Sequence, residues 1–328
     1  MAKDTSLAVL IPAYNAQGHI CEALDSVVAQ SRKPDEIIVV DDGSKDCTVE
    51  VVRRWSKNRS VEVVLIEQEN RGVPAARNNG LRHIHTALVA LLDADDLFLP
   101  HHLRQAEGAF QHHPDIVLYF GDAEVFSQAG IEQPSFLART LIESLEWHEV
   151  PGGLRVIRDS AYSSLLRGSY IPVSSTVLSK KAVRRVGLYD ESLIYASDRD
   201  LNLRLSRVGS FAYYPTVSAR KRIHTHNLTH PRHYLVAQRY RLGVLQKMLE
   251  SVDDLALSSV ELQRTQEAIG DHVWGMLYAA SRRGLKTYFE TCTYLVQREF
   301  IAPLSNPKHI LRALAFSTVI REANERST

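Results

Sequence analysis

"ALVALLDADD", residues 87–96, runs from aliphatic side chains straight into three carboxylates, Asp93, Asp95 and Asp96. A short aliphatic run of this kind is what a strand buried on both faces of a parallel sheet looks like, and the carboxylates then fall just past its carboxyl end. Three similar runs precede it: "LAVLIP" (7–12), "EIIVVDD" (36–42) and "VEVVLIE" (61–67). Helical patterns separate them. Ile20, Leu24, Val27 and Val28 mark one apolar face, Val49, Val52 and Trp55 another, and "PAARNNGLRHIH" (74–85) opens with Pro74 where a first helical turn tolerates it. The alternation predicts an α/β fold with a mostly parallel sheet flanked by helices.

In such sheets ligands bind beyond the carboxyl ends of the strands. Tyr14 and Asn15 follow the first strand, Asp41 and Asp42 the second, Asn70 the third, and Asp93, Asp95 and Asp96 the fourth, all on one rim. Asp and Asn also favour strand ends and turns on their own account. Four successive clusters are harder to ascribe to that, and carboxylates this close repel unless a cation lies between them. A hard divalent ion, Mn²⁺ or Mg²⁺, held by one or two carboxylates and by substrate phosphates meets that need. No G-x-G-x-x-G and no G-x-x-x-x-G-K-[ST] occurs, which removes the dinucleotide and P-loop readings.

The 328 residues are 45% hydrophobic and 23% charged, enough for one large domain or two ordinary ones, and the net charge of +1 argues against nucleic acid as a partner. Cys21, Cys47 and Cys292 show no C-x-x-C spacing, so a reducing compartment is expected. Pro12 interrupts the N-terminus too early for a signal peptide, and no apolar run reaches 18 residues. The expected location is cytoplasmic, with any membrane contact made from the surface of the inner face.

"IPAYN" (11–15), "VVDDGSKDCT" (39–48), "ENRGVPAARNNG" (69–80) and "LLDADD" (91–96), in this order, resemble the family 2 glycosyltransferases with the GT-A, Rossmann-like fold. The resemblance covers about residues 5–230. It implies an inverting transferase with a nucleotide-sugar donor, UDP being the family's commonest carrier. It also implies donor contacts from Pro12, Tyr14 (stacked on the base), Asp42 (hydrogen-bonded to it), Arg77, Asp93, Ala94, Asp95 and Asp96. Asp93 and Asp95 form the D-x-D pair, with Asp95 the direct metal ligand; Asp41 is a further candidate nearby.

"VGLYDESLIYASDRDLNLRLSRVG" (186–209) is similar to the family stretch in which Glu-Asp precedes x-Asp-Leu-x-Leu-Arg at a helix start. Asp198 matches the general base and Arg204 the arginine, a phosphate or acceptor candidate, while Ser197, a further such candidate, stands where Glu is expected. Ser197-x-x-Asp200 also fits a capping box, which leaves a purely structural reading of this turn open. One assignable base and no second carboxylate nucleophile suggest a single displacement. The Gln-x-x-Arg-Trp of processive members is absent, so one sugar is added per encounter. A catalytically weak nucleotide-sugar-binding scaffold is the alternative. A haloacid dehalogenase-type phosphatase would want Thr or Val where Leu97 stands, and a sugar nucleotidyltransferase a glycine-rich loop in place of "PAYNAQGHI" (12–20).

Arg222 and His224 in "ARKRIHTHNLTH" (219–230) match an Arg-x-His element near the diphosphate, making His224 a metal candidate and Arg222 a phosphate candidate; His226 and His230 read as solvated loop residues. No Asp or Glu occurs from Leu201 to Leu249, and that basic stretch suits a diphosphate, a carbohydrate or lipid-linked acceptor bearing phosphate, or an anionic membrane surface. The expected division is a catalytic domain over 1–230, with a nucleotide-sugar half to about 125 and an acceptor half over 126–230, then an α-helical region over 231–328. Helices are predicted over 233–250, 258–284, 285–300 and 307–325, with Ser258-x-x-Glu261 as a capping box and breaks at Gly284 and Pro303.

Overall fold

The computed structural model describes residues 4–300 except 58, 60, 61, 158–160, 226 and 229. The predicted helix over 307–325, Pro303 and His226 therefore lie outside the described residues. Two compact units result, residues 1–227 and 228–328.

In the first unit the strands are β1 (Leu7–Ala13), β2 (Glu36–Asp41), β3 (Val64–Glu67), β4 (Leu88–Leu91), β5 (Leu97–Phe98), β6 (Ile116–Ser127), β7 (Gly130–Gln133), β8 (Trp147–Val150), β9 (Leu154–Ile157), β10 (Thr176–Ser179) and β11 (Ser210–Arg222). The helices are α1 (Ile20–Val28), α2 (Thr48–Lys57), α3 (Val73–His83), α4 (His102–His112), α5 (Ala161–Arg167), α6 (Lys180–Val186) and α7 (Ser197–Leu205). The sheet order is β3-β2-β1-β4-β10-β6-β11-β9-β8, with β5 on β11 and β7 on β6.

β1 to β4 pair in parallel, as the aliphatic runs predict. Every β1 residue is buried, and Ile20, Leu24 and Val27 of α1 join Val52 and Trp55 of α2 in the core beneath the sheet. On the other face Gly80 of α3 lies so close to Leu10 and Val40 that a methyl group would collide with Leu10. The sheet beyond β4 is mixed, which the predicted mostly parallel order did not contain. β10 runs antiparallel between β4 and β6, and β6 pairs in parallel with β11. β10 is only "TVLS", too short and too polar at its ends to register as a buried strand in sequence.

The second unit holds α8 (Tyr234–Glu250), α9 (Ser259–Ser281) and α10 (Leu285–Val296), packed in succession. Leu242, Leu245, Met248, Ile269, Val273, Leu277, Tyr288 and Leu295 are buried. The capping box forms: Ser258 Oγ accepts from Glu261 N, and the Glu261 carboxylate accepts from Ser258 N at 2.9 Å. Gly284, at φ +95°, makes the turn into α10. No described helix is long and apolar enough to cross a membrane.

Candidate active site

β1, β2 and β4 end on the same rim, and their last residues build the site. Past β4, Asp96 N donates to Asp93 O at 3.0 Å, so Asp93 to Asp96 form a tight turn. Asp96 is 3% exposed. One of its oxygens accepts from Ser174 Oγ at 2.6 Å and the other from Arg222 N at 2.8 Å. Burial first, then the neighbouring Asp95 and Asp93, push its carboxyl up to about 8. Ser174 Oγ also accepts from Asp93 N at 3.1 Å. The segment before β10 thus fixes both ends of the acidic turn, and Ala94 is buried within it.

Asp95 and Asp93 point elsewhere. Asp95 Oδ2 lies 2.8 Å from His224 Nε2 and accepts from Asn227 Nδ2 at 3.2 Å. The His224 ring stacks on His19, with centroids 5.7 Å apart. Arg222 donates through Nε to Asp95 O at 2.9 Å and through Nη2 to Glu22 at 2.7 Å. Asp93 accepts from Arg77 Nη2 at 2.8 Å. Arg77 is 5% exposed; burial works against its charge, but Asp93, Tyr189 and Asp198 hold its pKa above the ordinary arginine value. The Tyr189 ring lies 5.6 Å from the Arg77 guanidinium, in the segment that leads to Asp198 in the first turn of α7.

Pro12 is buried in β1, and Tyr14 just beyond it is 47% exposed, free to offer a ring face at the rim. Its backbone is set by Asn15, at φ +49°, which locks to the loop after β2: Asn15 N donates to Ser44 Oγ and Asn15 Oδ1 accepts from Lys45 N. Asp41 is buried and accepts from Ser44 N. Asp42 is also buried, and both its oxygens accept backbone N–H groups, from Arg71 at 2.9 Å and Gly72 at 2.8 Å. In this arrangement Asp42 shapes the loop that leads into α3.

Two expectations need correction. Arg204 offers nothing to a phosphate: its guanidinium holds Asp200 at 2.6 Å and donates to the carbonyls of Val186, Gly187 and Leu188. The capping box at Ser197 does not form, because the N-cap is Ala196 in a left-handed conformation, φ +62°, with no side-chain cap. Ser197 itself is buried. The basic block is also less free than its composition implies, since Arg220 pairs with Glu124 and Arg222 with Glu22.

A family model described as "Glycosyl transferase family 2" matches residues 8–166. That segment, just under half of the chain, matches the family 2 glycosyltransferases. An uncharacterized glycosyltransferase of Rickettsia typhi is 28% identical to this chain over 220 residues, 66% of the chain and 64% of the relative. The chain spans less than two-thirds of the length of the first curated relatives it matches. Two solved structures share the GT-A fold. Staphylococcus aureus TarS 1–349, solved with UDP-GlcNAc, gives a TM-score of 0.53 at 15% identity, covering 85% of each chain. A Pyrobaculum calidifontis mannosyltransferase, solved with GDP-Man and Mn²⁺, gives 0.54 at 18%, covering 95% of this chain and 88% of that one.

The matched segment ends before α7 and β11, so Asp198 and His224 lie outside it, and His224 meets Asp95 through the fold. Sequence reasoning missed Ser174, Tyr189, Asn227 and His19. Tyr189, Asn227 and His19 stand in the quoted stretches 186–209, 219–230 and 12–20 but match no motif position, and Ser174 stands in none. Among the described residues no three Asp, Glu, His or Cys side chains gather to hold a metal by themselves. The Asp95 and His224 atoms nonetheless suit a hard ion. The carboxylate and imidazole, in contact at 2.8 Å, would hold such an ion together with phosphate and water ligands.

Proposed function

We propose that the chain transfers one sugar per encounter from a nucleoside diphosphate donor, UDP-linked, to an acceptor hydroxyl with inversion at the anomeric carbon. The observation that carries this is the buried Arg77 guanidinium, which donates to Asp93 at 2.8 Å and lies 5.6 Å from the ring of Tyr189 in the segment leading to Asp198. The acidic turn after β4 and the segment that leads to α7 thus meet at one side chain. Tyr14 gives its exposed ring to the base, and the loop held by Asp42 borders the base and phosphates. Asp198 accepts the proton of the acceptor hydroxyl as its oxygen bonds to the anomeric carbon and the diphosphate departs with the bonding pair. Asp95 and His224, with Asp93 beside them, would hold Mn²⁺ or Mg²⁺, which when bound neutralises charge on the diphosphate.

UDP as carrier is supported by the family's habit and by the neighbour solved with UDP-GlcNAc; the metal is supported by the neighbour solved with Mn²⁺. Cell-surface polysaccharide or glycolipid assembly in the cytoplasm, with a carbohydrate or lipid-linked acceptor, is the role the family setting supports. Peripheral membrane contact would fall to the basic residues of 232–247, since Arg220 and Arg222 of β11 are paired.

The deciding experiment is a thermal-shift panel of UDP, GDP, TDP and CMP, each with Mn²⁺ or with a chelator, on the wild type and Asp95→Ala. A ligand that binds the folded state raises its melting temperature by mass action. A shift with UDP that needs both Mn²⁺ and Asp95 supports the proposal. A shift with GDP instead would replace the carrier, and no metal-dependent shift with any nucleotide would put the weak scaffold ahead.

A further inference from the structure

We infer that Glu191 is a positioning residue that ties the donor-side loop 68–73 to the segment 189–198 presenting Asp198. The inference rests on the glycosyl-transfer reading for its meaning, though not for its test.

Glu191 lies in the turn after Tyr189, seven residues before Asp198, and takes donors from one stretch of chain. Its Oε2 accepts from Arg71 Nη2 at 2.6 Å, its Oε1 accepts from Asn78 Nδ2 at 3.0 Å, and Arg82 Nη2 stands 3.6 Å away. Arg71 belongs to the loop whose N–H groups grip Asp42, whereas Asn78 and Arg82 are one turn apart on α3.

Asn78, 2% exposed, makes the tie tighter. Its Nδ2 donates to Tyr189 O at 2.8 Å as well as to Glu191, and its Oδ1 accepts from Tyr189 N at 2.9 Å. Both main-chain groups of Tyr189 are thereby fixed to α3, and the Tyr189 ring lies 5.6 Å from the Arg77 guanidinium. Each linked segment turns at a left-handed residue, Gly72 at φ +87° and Ala196 at φ +62°. A displacement of loop 68–73 against 189–198 would stretch the Arg71–Glu191 bond.

The Arg71 pair is modest, since Arg71 is 64% exposed and exposed ion pairs are weak, and a few-fold change in exchange is what its loss can supply. The strength of the link lies in one carboxylate serving several donors, one of them buried. Asn78's hydrogen bond first, against a smaller effect of burial, and then Arg71 and Arg82 hold the Glu191 carboxyl below the usual range.

Hydrogen–deuterium exchange on the full chain tests the tie without any donor. In Glu191→Ala the amides of both 68–73 and 189–198 should exchange about fivefold faster, the scale set by losing a partly exposed charged contact. Glu191→Gln, which can still accept from Asn78, and Arg71→Ala should each loosen 68–73 while sparing 189–198. These two variants also cover the case in which Glu191→Ala fails to fold. Faster exchange confined to 189–198 in Glu191→Ala, or wild-type protection of 68–73 in Glu191→Gln and Arg71→Ala, would overturn the inference. If transfer occurs, Glu191→Ala should lower kcat as well as raise the donor KM, and a loss confined to one parameter would argue against a link between the two sides. A wild type with no turnover on any donor would sink the transfer reading and leave the exchange result standing.

Discussion

Asp95 and His224, 129 positions apart in sequence, bring a carboxylate oxygen and an imidazole nitrogen within 2.8 Å of each other, with Asn227 steadying the same oxygen from the side. In Asp95→Asn the Mn²⁺-dependent part of the nucleotide thermal shift should vanish. Asn227→Ala should leave it in place but weaken Mn²⁺ about tenfold, as losing an outer partner of a metal ligand typically does. Isothermal titration with Mn²⁺ and nucleotide reads both; equal loss in the two variants would mean Asn227 is itself a ligand.

Asp198→Asn keeps shape and removes basicity. Turnover should fall about 100-fold or more, the usual worth of a positioned general base, while the nucleotide thermal shift stays at the wild-type value. Retained turnover would move the proton acceptor to another group.

Arg204→Ala should cost about 3 kcal/mol of stability, because it takes the ionic partner from Asp200, whose side chain is fully buried. Denaturant unfolding checks the magnitude. The surviving folded enzyme should bind donor nucleotide normally; a selective rise in donor KM with unchanged stability would restore Arg204 as a phosphate ligand.

His102 sets an acid limit on stability. It is fully buried, its Nδ1 lies 3.0 Å from Ser218 Oγ, and burial lowers its pKa from 6.5 to about 3. The unfolded chain binds a proton there that the folded chain refuses, so the contribution is complete above pH 6.5 and is lost as pH falls towards 3. By linkage about 2–3 kcal/mol should disappear between pH 6.5 and 4.5. Urea unfolding across that range should give a flatter acid limb for His102→Gln, and identical limbs would refute the assignment.

The parts of the site legible in sequence were those written locally. Strand, turn and carboxylates follow one another within "ALVALLDADD", so the position of the acidic turn needs no knowledge of the rest. Its supports are another matter. Ser174 reaches Asp96 across 78 positions and Asn227 reaches Asp95 across 132. No period or motif marks a lone Ser or Asn as the partner of a distant carboxylate. Arg204 was misread for a related reason: sequence displays its charge but not the three carbonyls that occupy it. The antiparallel course of β10 was hidden by its length of four residues.

That course of β10 has a consequence for how the chain is made on a ribosome. β10 closes the open edge of β4, Ser174 just ahead of it pins the acidic turn, and Asn227 arrives later still. At ordinary synthesis rates the carboxylates emerge roughly ten seconds before the residues that restrain them. For that interval β4 is an uncovered parallel edge ending in an acidic turn in which only Asp93 already has its partner, Arg77. Expression truncated between residues 125 and 175 should therefore yield a sticky half-sheet that partitions into inclusion bodies, however complete its motifs look.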